Sequence, residues 1–196
     1  MDREDLNILS YFGDKKDGFY VDVGCFHPMD RNNTYLLYLN NWRGINIDIS
    51  QFSIDLFNFL RPDDHNINCA VSEKNQIVKI FFQKKLSQLS TTDEGQARKV
   101  FQGKIKSKEI QSYTLDYILE KSKFYNKEID LLDIDVEGTD YKVLLGLNFE
   151  KYKPKLICVE IHNKNIKDDK IYKFLTNKGY TLIWSNIFSH LFKISE

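Results

Sequence analysis

At 196 residues, with 42% hydrophobic and 14% aromatic side chains, the chain has the length of one domain and too much apolar surface to stay disordered. Its 28 basic residues match its 28 acidic ones, so no net field draws it to nucleic acid or to an anionic membrane. Three Pro and nine Gly exclude collagen-like or linker-rich designs.

The three cysteines (Cys25, Cys69, Cys158) are widely scattered, which fits neither a disulfide framework nor a zinc-ligand spacing. Reduced thiols in a cytoplasmic protein are the expectation. The start, MDREDLNILSYFGDKKDG, is charged from its second residue and does not read as a signal peptide. No window holds the ~18 apolar residues that a bilayer-spanning helix needs. A single domain over 1–196 is expected, with 1–17 as a helical extension; oligomeric state is left open.

Apolar runs follow in chain order. GFYVDVG (18–24) and GINIDIS (44–50) both carry an acid near their ends, and NINCAVS (66–72) and VKIFF (78–82) come next. Then follow IDLLDIDVEG (129–138), KLICVEIH (155–162), YTLIWS (180–185) and HLFKIS (190–195). Short continuous apolar runs suit strands buried on both faces of a parallel sheet.

Helical spacing fills the gaps at 51–61, with Ser50 as N-cap, and at 114–122, 139–147 and 167–178, the last stopped by Gly179. This alternation predicts a doubly wound α/β sheet. The last two runs are joined too tightly for a parallel crossover, so they should close the sheet as an antiparallel hairpin. Between the runs, 99–108 carries four lysines and reads as a solvated face. The polar stretch 86–98 is long for a connection and reads as a substrate-facing lid.

In such sheets ligands bind beyond the carboxyl ends of the strands, where strand order reverses. The first run ends with Asp22 and Gly24, and Asp48 stands at the end of the second, placed to accept both hydroxyls of a ribose. After the third, Cys69, Ala70 and Val71 offer a small apolar wall to an adenine. The turn G-C-F-H-P lacks the second glycine of a dinucleotide fingerprint, and Pro28 removes an amide donor. It suits a phosphate-free nucleoside such as S-adenosylmethionine, with Asp22 near the ammonium group.

The densest polar cluster is DIDVEGTD, with Asp133, Asp135, Glu137 and Asp140; Glu160 and His162 end the next strand. Carboxylates crowded beside an imidazole raise one another's pKa. Asp135, Glu137 and His162 are therefore candidates for the general base, or for ligands of a divalent metal. His27, Thr34 and Glu160 are candidates for the acceptor side.

With these residues in place the chain resembles the FkbM-type family of S-adenosylmethionine-dependent methyltransferases over about 18–185. The most specific stretch, IDLLDIDVEGTDYKVLLGL, is similar to the family's lKiDvEG-x-E-x-x-vL-x-G signature. FYVDVG, NINCAVSE, the TLD at 114–116, LICVEIH and NNTYLLYLNNWRGINIDIS add to it. The chain differs from the family's pattern at Phe26–His27–Pro28, where a small residue and a further Gly are usual, and at Asp140, where Glu is usual.

The resemblance implies a class I methyltransferase fold of seven mostly parallel strands with a C-terminal antiparallel hairpin. It also implies O-methylation of a sugar, glycan precursor or small metabolite. It places Asp22, Gly24 and Cys25 at the methionine end of the cofactor and Asp48 at the ribose. Ile49, Ala70 and Val71 would lie beside the adenine, and Asp133 and Asp135 on the floor between cofactor and acceptor. The rival readings are a nicotinamide-dependent oxidoreductase and a non-catalytic nucleoside-binding module on the same fold.

Overall fold

The computed structural model describes residues 3–84 and 89–195. Helix α1 (Glu4–Phe12) falls within the expected N-terminal extension. Strand β1 (Phe19–Val23) follows, then α2 (Tyr35–Leu39), β2 (Arg43–Asp48), α3 (Gln51–Leu60) and β3 (His65–Asn68). Next come β4 (Ala70–Val71), β5 (Gln76–Phe82), α4 (Glu94–Val100), β6 (Lys106–Tyr113) and α5 (Leu115–Lys121). The chain continues through β7 (Leu131–Ile134), α6 (Asp140–Leu145), β8 (Leu156–Glu160), α7 (Lys170–Asn177), β9 (Tyr180–Ser185) and β10 (Ser189–Ile194).

Seven strands form the main sheet in the order β3-β2-β1-β7-β8-β10-β9. All neighbours are parallel except β10, which runs antiparallel to both β8 and β9. This is the expected sheet with its terminal hairpin. Strand order reverses between β1 and β7, so the cleft should open there.

Every residue of β1, β7 and most of β8 is buried, as two covered faces require. On one face Phe19, Val21, Ile45, Leu132 and Ile157 pack with Leu115 of α5, Val143 of α6 and Leu175 of α7. On the other, Tyr20, Leu131, Leu156 and Cys158 meet Ile8 of α1, Leu37 of α2 and Trp42. The same alternation that aims Tyr20 and Leu131 at α1 and α2 aims Asp22 and Asp133 that way too. The two acids are register partners on adjacent strands.

Two expectations are corrected, while the lysines of 99–108 are exposed as expected. The run 66–72 is not one strand: β3 ends in the main sheet, while β4 pairs with β6 in a separate sheet ordered β4-β6-β5. The run 78–82 belongs to that second sheet as well. The lysine-rich segment leads into β6, whose pairing with β5 holds a strand that has little apolar content of its own. Of the polar stretch 86–98, residues 86–88 lie outside the described residues; the remainder contains α4, capped by Asp93 accepting the Gln96 amide at 2.9 Å.

Candidate functional site

The site begins where β1 runs out. Gly24 turns the chain at φ +89°, and a β-carbon there would stand 1.8 Å from the Asp135 carbonyl oxygen. Only glycine permits that approach. The amides of Gly24 and Cys25 both donate to the Ile47 carbonyl, at 2.8 and 3.2 Å. Phe26 then adopts a left-handed conformation, φ +53°. Its amide donates to Asp48 Oδ2 at 2.9 Å, and its carbonyl receives the Ser53 hydroxyl. Side-chain bonds thus hold a turn that a second glycine would otherwise ease.

Asp48 serves both loops, because its other oxygen accepts the Ser50 amide at 2.7 Å. Burial pushes its carboxyl up to about 6 against the pull of those two amides. His27 is spent locally: its Nδ1 accepts the amides of Met29 and Asp30 at 3.2 and 2.9 Å. It is absent from the walls of the cleft.

Two lobes open around Gly24, Phe26 and Asp135, which line both. The first, about 510 Å³, is lined by Asp48, Ile49, Cys69, Ala70 and Val71 together with Ser90, Thr91 and Thr92. The second, about 350 Å³, is walled by Asp22, Cys25, Asn32, Asn33 and Asp133. The expected nucleoside-side and methionine-side residues are therefore gathered at one cleft. The Ser90–Thr92 wall follows from the segment read as a lid, but Asn32 and Asn33 were not singled out; their place in NNTY beside Thr34 was the available signal.

Asp22 and Asp133 lie side by side, both buried. Burial, then the Asp22 charge, lifts the Asp133 carboxyl to about 8, while Asn33 donates to its Oδ1 at 3.3 Å. Burial raises Asp22 as well, tempered by hydrogen bonds from Thr34 and Asn32 at 2.9 and 3.0 Å. Thr34 is fully buried, with its hydroxyl on Asp22. It stands behind the cleft rather than facing an acceptor, because the strap after β1 folds it under the sheet.

Beyond the end of β7, Asp135 is open to the cleft yet closely surrounded by protein, and that surrounding, followed by Glu160 and Asp140, holds its carboxyl well above the usual range. Glu137 sits at φ +54°, its carbonyl accepting the Thr91 hydroxyl at 2.8 Å. Burial, then Asp140, brings its carboxyl to about 7. Such a backbone costs energy and persists where the surroundings impose it. Asp140 is buried and caps the loop by accepting the Val136 and Gly138 amides at 3.2 and 3.1 Å.

Glu160 ends β8 with its carboxyl pushed to about 8 by burial and then by Asp140 and Glu137. His162, exposed, places Nε2 3.3 Å from Glu160 Oε2, and its ring lies 5.2 Å from that of Phe188. Glu137, Glu160 and His162 thus flank the lobes without forming their walls. Glu4 of α1, not anticipated from sequence, joins this side: its Oε1 accepts from Asn186 and from Ser189, each at 2.9 Å. Among the described residues no group of three or more His, Cys, Asp or Glu is arranged to hold a metal ion. The expected set Asp135, Glu137 and His162 is not assembled for one, since His162 turns to Glu160 instead.

Comparison with known proteins adds three findings. The family model described as Methyltransferase FkbM domain matches residues 17–182. A crystal structure of Methyltransferase FkbM from Methylobacillus flagellatus KT is similar in fold, with a TM-score of 0.55 at 12% sequence identity. The likeness covers 92% of this chain and 44% of that one, so the chain spans less than half of its neighbour's length. No curated protein matches the sequence.

Proposed function

The chain belongs to the FkbM methyltransferase domain family, and on that premise we propose that it transfers a methyl group from S-adenosylmethionine to a hydroxyl of a sugar, glycan precursor or small metabolite. The observation that carries this reading is the two-lobed cleft: an apolar slot ending in an acid joins a lobe walled by acids. Ile49, Ala70 and Val71 suit a purine, and Asp48 suits ribose hydroxyls. Asp22, Asp133 and Asp135 suit the positive charges of an ammonium and a sulfonium, with Gly24 and Cys25 beside them. A diphosphate is poorly served, because the amides of Gly24, Cys25, Phe26, Met29 and Asp30 already have partners and Pro28 has none to give.

When bound, the cofactor supplies an electrophilic methyl group on a cationic sulfur. The chain's part is to hold the acceptor oxygen in line and to take its proton. Alignment of this kind lowers a barrier by ~7–11 kcal/mol. Glu137, with its carboxyl near neutrality, is the general base in this reading. Asp135 lies on the floor between cofactor and acceptor in this reading, and Glu160 and His162 line the acceptor's approach. Among the described residues no helix is long and apolar enough to cross a membrane. The three free, buried thiols support a reducing compartment, the cytoplasm.

Titration calorimetry with S-adenosylhomocysteine and, separately, NAD tests the cofactor. Binding of the first with no heat from the second is expected; the reverse would overturn the reading. Transfer of a labelled methyl group to a panel of sugars and hydroxylated metabolites then tests the acceptor class.

A further inference from the structure

Arg61, the residue that caps α3 just after Leu60, is 1% exposed, and nothing in the reaction so far uses it. Its guanidinium lies 5.0, 5.2 and 5.6 Å from the ring centres of Phe57, Tyr38 and Tyr35. A cation taken out of water needs compensation. Its hydrogen bonds, however, run to neutral groups. Nη1 donates to Thr34 Oγ1 at 2.9 Å and to the Tyr20 hydroxyl at 3.3 Å. Nη2 donates to Asn32 Oδ1 at 2.7 Å and to the Pro28 carbonyl.

Each neutral partner passes the bond on to a carboxylate, except the Pro28 carbonyl. Thr34 Oγ1 and Asn32 Nδ2 both donate to Asp22 Oδ2, at 2.9 and 3.0 Å. The Tyr20 hydroxyl donates to Asp64 Oδ2 at 2.5 Å. Hydrogen bonds in such a chain polarise one another, and the effect is strongest out of water. Two relays, joined to each other by the Thr34 amide and hydroxyl at 3.1 and 2.9 Å from Asn32 Oδ1, therefore converge from one buried cation on one oxygen of Asp22. The bonds to Pro28 and Asn32 also tie the strap after β1 to the end of α3.

Resting on the reading that Asp22 faces the amino-acid end of S-adenosylmethionine, we infer that Arg61 is a positioning residue, which through Thr34 and Asn32 orients the Asp22 carboxylate as the acceptor for that end's ammonium group. Asp133 faces Asp22 from β7, Asp48 from β2 and Asp64 from the turn before β3, while Cys25 and Arg31 face it from its own loop. Against burial and these acids, Thr34, Arg61 and Asn32 favour the ionised form. Loss of a relay leaves Asp22 protonated to higher pH, so the pH midpoint of cofactor binding moves up.

Two probes separate positioning from mere support: S-adenosylhomocysteine carries the amino-acid end, and methylthioadenosine lacks it. Thr34→Val and Arg61→Met are each expected to weaken S-adenosylhomocysteine about tenfold or more by calorimetry and to shift its pH midpoint upward. Methylthioadenosine affinity should stay within about twofold, since its hydrogen bonds avoid Asp22. Equal losses for both probes, or none, would overturn the inference. Should Arg61→Met fail to fold, Thr34→Val, which keeps the guanidinium and the side-chain volume, decides alone. A wild type that ignores S-adenosylhomocysteine defeats the functional reading itself; a wild type that binds it, with variants blind to the difference between probes, defeats only the role of Arg61.

Discussion

Gly24 and Asp135 are locked together across the sheet's point of reversal: the Asp135 carbonyl occupies the space where a side chain at Gly24 would begin. The adjoining Asp135 amide donates to the Val23 carbonyl at 2.9 Å, so the ends of β1 and β7 are joined on both sides of the contact. Both residues line both lobes of the cleft, and any displacement here moves the floor of the site. Gly24→Ala meets backbone rather than a yielding side chain, at a φ that alanine disfavours. It is expected to cost about 3 kcal/mol or more and to abolish S-adenosylhomocysteine binding. Urea unfolding monitored by circular dichroism measures the first, calorimetry the second.

Glu137 is expected to set the acidic limb of the rate. With its carboxyl near 7, methyl transfer should rise with pH around neutrality, as the ionised base accumulates. Glu137→Gln should lower turnover by roughly 10²–10⁴-fold and flatten that limb. His162→Ala removes a ring that touches Glu160 and Phe188, and a loss of about tenfold is expected without loss of the limb. Near-wild-type turnover in both variants would exclude this assignment.

Stability should fall as the solution becomes alkaline. Asp48, Glu137, Asp133 and Glu160 have carboxyls raised in the folded chain to about 6, 7, 8 and 8. The folded state then holds more protons than the unfolded one. The stability they contribute is complete below the ordinary carboxylate range and is lost as pH climbs through 6 to 8. A thermal melt series from pH 5 to pH 9 should show a falling midpoint. Added S-adenosylmethionine, a cation at this site, should raise the midpoint more at pH 8 than at pH 5. A flat series would mean that these acids are not desolvated together.

Ala70 tests the nucleoside lobe. It is buried and lines that lobe along with Thr91 and Thr92. Ala70→Phe fills space that the adenine would take. Binding of S-adenosylhomocysteine and methylthioadenosine should weaken together, by about tenfold to a hundredfold. This parallel loss contrasts with the selective loss expected at Thr34 and Arg61, and one calorimeter reads both.

Much of the sheet was legible because the runs of β1, β7 and β8 carry apolar residues on both faces, and β2 carries Ile45 and Ile47 on one. The N-cap at Ser50, which accepts the Ser53 amide at 3.2 Å, was legible for the same local reason. The short helices α2 and α4 were not, since five and seven residues carry too little periodicity to read. Strand β6 escaped because its stability lies in a ladder with β5, not in its own residues. His27 and Thr34 were drawn toward the acceptor by their neighbours in sequence, whereas the folded strap uses them to hold itself.

The amino-acid order alone therefore determined the layered α/β sheet, its closing hairpin and the acids at the strand ends, because hydrophobic spacing and strand length act within a few residues. Folding decided which of those acids meet, that Glu4 reaches Ser189 across 185 positions, and that Arg61 reaches Thr34 across 27. Partners so far apart leave no mark on each other's local spacing. Their charge and hydrogen bonding come into being only when the sheet brings them together away from water.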